Sequence, residues 1–118
     1  MSYFDQVKKL SDEKAYSEAL TICEEWCHVE PENAKSWYNL GVVSHFNHDN
    51  TSALKAFSTC ISLDETHALA HSNLGSTLCC MNEFESAVPH FKKAVNLSEE
   101  GRRADIISKL VDCYLNLE

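Results

Sequence analysis

Cysteine and histidine are the side chains here with the most reactive chemistry, six of each among 118 residues. Cys23 and Cys27 stand four apart with His28 beside them. On a helix that spacing puts two thiols on one face, which is half of a zinc-type ligand set. Cys79 and Cys80 are adjacent at what reads as a helix end. Adjacent helical side chains diverge by about 100°, so this pair does not converge on one ion. No CxxC spacing, HExxH, GxSxG or Gly-rich phosphate loop occurs, and Gly101 has no Gly-Lys-Ser companion. Free cysteine packs as a small hydrophobe, so Cys23 is read as a core thiol. Cys80, beside a groove described below, is given only a minor redox role. Asn96-Leu97-Ser98 fits the glycosylation pattern but means little at a cytosolic helix end. No catalytic or metal residue and no cofactor is assigned, and no motif supports an enzyme.

The composition bounds the rest. At 118 residues the chain is one domain, residues 1–118, and its 44% apolar content is enough for a packed interior. Three glycines and two prolines suit helices. The net charge of −8 disfavours nucleic acid, whose binders carry a basic face. No apolar run reaches the length that spans a bilayer, so no membrane role is expected. Met1-Ser2-Tyr3-Phe4-Asp5 lacks the features of a signal peptide, so a cytoplasmic protein with free thiols is expected. The charge is concentrated: residues 1–33 carry −5, residues 34–67 carry −1, residues 68–101 carry −2 and residues 102–118 carry none. That acid is read first as a solvated end face, second as a docking surface for a basic partner.

These side chains must be positioned by a repeat. Trp37-Tyr38-Asn39-Leu40-Gly41 returns 34 residues later as His71-Ser72-Asn73-Leu74-Gly75. On the same offset Ala19 meets Ala53 and Ala87, Phe57 meets Phe91, Leu63 meets Leu97, and Tyr3 meets Trp37. Cys23 falls where Phe57 and Phe91 stand, which supports its place in the core. Leu40, Gly41 and Ser44, like Leu74, Gly75 and Leu78, share one helical face. A helix-interior glycine costs roughly 0.5–1 kcal/mol relative to alanine, so a close neighbour must offset it. Ala53 and Ala87 are the expected neighbours. Helices are predicted over 2–12, 15–29, 33–46, 50–63, 67–80, 84–97 and 101–117. Asp49 and Asn82 are expected N-caps, and Pro89 is expected to kink or delay the sixth helix.

A 34-residue period with these residues resembles the tetratricopeptide repeat. Trp37, Leu40, Gly41, Ala53 and Phe57 match its pattern over 34–67. Leu74, Gly75, Ala87, Phe91 and Ala94 match over 68–101. Tyr3, Ala19 and Pro31 match over 1–33, with Tyr16 and Phe84 opening second helices. Gln6, Val7, Trp26, Cys60, Glu65 and Glu99 depart from it, so the first hairpin is expected to pack less closely. The resemblance implies an all-α fold: a right-handed superhelical stack of antiparallel hairpins with seven helices. The last, about 102–118, aligns Leu110 with Leu74 and looks like the opening helix of an unfinished repeat, acting as a cap.

The resemblance also implies a concave groove lined by the first helix of each hairpin. Carried over by position, the groove residues are Lys8, Lys35, Tyr38, Asn39, Val42, Phe46, Leu69, Ser72, Asn73 and Ser76. Phe4, Asp5, His45, Cys79 and Cys80 share those positions, and Asp105, Ser108, Lys109 and Asp112 follow on the last helix. The family's clamp for heat-shock C-terminal tails would need lysines and an arginine where Phe4, Leu69 and Asn73 stand, so that partner class is disfavoured. Asn39 and Asn73 instead resemble an asparagine ladder, whose amides both donate to and accept from an extended backbone. The expected function is an adaptor that binds a protein or peptide segment. A small secretion-type chaperone is the first alternative, although almost no residues precede the first repeat. A self-associating scaffold, a homo-oligomer, is the second.

Overall fold

The computed structural model describes all 118 residues. They form seven α-helices: α1 Tyr3–Asp12, α2 Tyr16–Val29, α3 Ala34–Phe46, α4 Asn50–Leu63, α5 Ala68–Cys80, α6 Phe84–Leu97 and α7 Glu100–Asn116. Each packs on the next in sequence, giving a stack of 45 × 25 × 23 Å. The chain is an all-α solenoid.

Helix starts follow from local chemistry. Ser2, Asn33 and Asp49 accept hydrogen bonds from the backbone N–H groups of Asp5, Lys35 and Ser52. These bonds satisfy donors that the first helical turn leaves open. His67 does the same for Ala70 through its ring nitrogen. The expected starts at 2, 33 and 67 are therefore one residue early, because those residues are the caps; the start at 15 is also one early, at Ala15, which makes no side-chain cap. Asn82 is not a cap. It lies in the left-handed region at φ 62°, as do Lys14 at 58° and His48 at 61°. These three stand one repeat apart, each turning the chain between the two helices of a hairpin. Asparagine and histidine are among the residues enriched in that conformation, whereas lysine adopts it at a cost.

Two other expectations change. α6 runs through Pro89 and starts on time at Phe84. Pro89 and Glu85 are both exposed, so the Glu85 carbonyl that loses its helical donor faces water. The neighbours of the glycines are aromatic rings rather than Ala53 and Ala87. A Cβ on Gly41 would lie 2.6 Å from Phe57, and one on Gly75 would lie 2.8 Å from Phe91. The first hairpin solves the same packing problem in reverse. Val7 replaces the glycine and Cys23 the phenylalanine, and both are buried in one cluster with Ala19, Trp26 and Val43. A larger cluster built on Phe57, Leu74, Leu78, Phe91 and Ile106 joins α4 to α7.

Candidate functional site

α3, α5 and α7 each present one face to a common cleft. Tyr38, Val42, His45 and Phe46 come from α3, Asn73 and Ser76 from α5, and Lys109 from α7. Phe57 reaches in from α4, and the cleft holds about 370 Å³. Five of the ten residues expected in the groove, Tyr38, Val42, Phe46, Asn73 and Ser76, are thus brought together.

Tyr38 is its central group. Asn73 Nδ2 donates to Tyr38 Oη at 3.3 Å, tying α5 to α3. The Tyr38 ring lies 4.7 Å from that of His67 and 6.0 Å from that of Phe57. Burial raises its phenol above the ordinary range, with the Asn73 bond pulling the other way. It therefore stays protonated at neutral pH, and its O–H can donate outward. His45 Nδ1 is buried without a hydrogen-bond partner, although the residue lines the cleft. Phe46 is 52% exposed and is steadied by stacking on Tyr16 at 5.4 Å. Lys109 pairs with Asp105 at 3.5 Å on the exposed side of α7.

A second cleft of about 360 Å³ adjoins the first, with Leu69, Ser72, Arg102, Asp105 and Ile106 among its walls. Asn73 and Lys109 line both clefts. Leu69 is exposed, whereas Ser72 is only 6% exposed and offers that cleft little surface.

Lys8, Lys35 and Asn39 line neither cleft. Lys8 is exposed on α1, and Lys35 holds its Nζ 4.2 Å above the Phe4 ring. Asn39 Nδ2 donates to the Lys35 carbonyl of its own helix at 2.8 Å. The two ladder asparagines are therefore engaged differently, one with its own helix and one across helices. Phe57 was absent from the groove positions because it belongs to a second helix. Gly41 was the signal for it: a bare position lets a ring from α4 lie across α3 and reach the cleft.

The cysteines divide by burial. Cys23 is wholly buried, and burial pushes its thiol up to about 12, with Cys27 adding to the rise. Burial also raises Cys27. Both are thiols suited to packing rather than to ligation. Cys79 Sγ lies 3.2 Å from Cys113 Sγ, while Cys80 is exposed and outside that pair.

Residues 34–67 match the sequence model of the tetratricopeptide repeat. The chain is 30% identical over 94 residues to the protein "Essential for maintenance of the cell wall protein 1" of Saccharomyces cerevisiae. That match covers 80% of this chain and 10% of the relative, so the chain spans about a tenth of the curated protein's length. The first tetratricopeptide domain of Spaghetti (RPAP3), bound to the HSP90 peptide SRMEEVD, superposes with a TM-score of 0.90 at 16% identity. That superposition covers 96% of this chain and 88% of the other. The Yersinia enterocolitica type III secretion chaperone SycD, in complex with a peptide of the translocator YopD, also gives 0.90 at 14% identity. It covers 98% of this chain and 92% of that one. At these identities the likeness is one of fold.

Proposed function

Because the chain is a tetratricopeptide repeat protein, we propose that it is an adaptor which holds an extended peptide segment across α3, α5 and α7. The observation that carries this reading is the cleft between Tyr38, Phe46 and Asn73. It combines an apolar pocket for one side chain with polar groups set to meet a backbone. The Tyr38 hydroxyl and the free carbonyl of the Asn73 amide supply a donor and an acceptor. Similar folds hold peptides, an HSP90 peptide in Spaghetti and a translocator peptide in SycD. The heat-shock tail is not the segment we propose here, because Phe4, Leu69 and Asn73 stand where the clamp needs cations. A reducing, cytoplasmic setting suits six cysteines that are all free.

The test is selection of a displayed random-peptide library on the folded chain, followed by titration of the enriched peptides. Tyr38→Ala with Asn73→Ala is expected to weaken them roughly tenfold or more, since truncating a central contact costs about 1–2 kcal/mol. Asn39→Ala is expected to have a smaller effect, its amide being bound to its own helix. Peptides that bind the double variant as tightly as the parent would refute the site.

Self-association is a second reading with its own observation. Ile107, Val111, Tyr114 and Leu115 form one stripe on α7, each 44–60% exposed. Val111 stands where α3 and α5 have Gly41 and Gly75, so a helix bearing a ring like Phe57 does not seat there. A second copy of α7 fits this end of zero net charge, because the acidic end of each molecule then lies far from the other.

A further inference from the structure

Cys79 on α5 and Cys113 on α7 hold their Sγ atoms 3.2 Å apart although 34 residues separate them. Only the packing of α6 between these two helices in sequence brings the pair together. Cys113 is wholly buried and Cys79 is half-buried. Both line a small cleft of about 190 Å³ with Ser76, Phe84, Lys109 and Asp112. A reagent can thus reach the Cys79 side while Cys113 waits behind it. A disulfide needs about 2.05 Å between sulfurs, so closure requires a movement of only about 1 Å.

We propose that Cys79 and Cys113 are a thiol–disulfide exchange site for small disulfides of the glutathione class, closing to a bond that ties α7 to α5. The Cys79 thiol loses its proton to solvent and attacks one sulfur of the small disulfide. That sulfur–sulfur bond breaks, one small thiolate leaves and takes up a proton, and Cys79 carries the other half as a mixed disulfide. Cys113 then loses its proton and attacks Cys79 Sγ, expelling the second small thiolate, which is protonated in turn. Two protein thiols are oxidised and one small disulfide is reduced to two thiols. Burial, with Cys113, Cys80 and Asp112 adding to it, pushes the Cys79 thiol up to about 12. The exchange is therefore slow at neutral pH and accelerates as pH rises. α7 packs chiefly on α6 and meets α5 only slightly, so the bond adds a tie that the reduced fold lacks. Cys79 and Lys109 share the small cleft, so the bond also fixes the wall that carries Lys109.

The experiment treats the reduced, folded chain with oxidised glutathione at mildly alkaline pH and reads intact mass and a peptide map. The expected product has lost two hydrogens, links the peptides holding Cys79 and Cys113, and melts on the order of 5–10 °C higher than the reduced form. Cys80→Ser should form the same link. Cys113→Ser should trap the mixed disulfide, gaining one glutathionyl group at Cys79. A wild-type map showing glutathionyl adducts without that link, or a link through Cys80, overturns the proposal. The wild-type map decides the matter even if a variant misfolds.

Discussion

A methyl group on Gly41 would press on the ring of Phe57, which is only 1% exposed. Gly41→Ala is therefore expected to destabilise by about 1–3 kcal/mol through overpacking, despite alanine's better helix propensity. Gly101→Ala is the internal control: nothing lies within 4 Å of a Cβ there, so it should be neutral or slightly stabilising. Denaturant titration of both checks the contrast, and equal effects would mean that the ring yields. His90 makes a different kind of prediction. Burial lowers its pKa from 6.5, and His71, stacked 5.8 Å away, lowers it further. The fold thus favours the neutral ring. Its contribution to stability is whole above pH 6.5 and is lost as pH falls below that value. Calorimetry should show the melting temperature dropping between neutral and mildly acidic pH, and dropping less in His90→Gln.

Among the elements, α6 is the one that departs from its own local chemistry. Pro89 sits in its interior without a donor for the Glu85 carbonyl. Pro89→Ala restores that bond, and the expected gain is about 1–3 kcal/mol. An unchanged denaturation midpoint would show that water already satisfies the carbonyl and that the ring fits without strain. The first hairpin differs from its neighbours in the placing of bulk, with Val7 and Cys23 in the slots of glycine and phenylalanine. Sequence showed both departures singly but not that they compensate one another, because compensation is a property of two side chains in contact.

At the scale of the whole molecule, charge and apolar surface are segregated. Residues 1–33 carry −5 and residues 102–118 carry none. The stripe of Ile107, Val111, Tyr114 and Leu115 lies on that neutral end. If copies pair there, light scattering should show mass rising with concentration, little affected by salt, and Val111→Glu should hold the chain monomeric. A constant monomer mass up to high concentration would remove the second reading and leave the peptide cleft untouched.

The sequence by itself determined the helices and their stacking, because a 34-residue period of large, small and aromatic positions leaves few ways to bury them. It placed α4 and α6 to the residue and the others within one or two, since caps such as Asp49 act locally. It named Tyr38, Val42, Phe46, Asn73 and Ser76, with Leu69 and Ser72 of the adjoining cleft, but also Lys8, Lys35 and Asn39, because a repeat position gives a helix face and not what covers it. Tertiary packing decided that Phe57 crosses Gly41 into the cleft and that Cys79 rather than Cys80 meets Cys113. Each of these depends on where a neighbouring helix lies in space, and no spacing along the chain contains that distance.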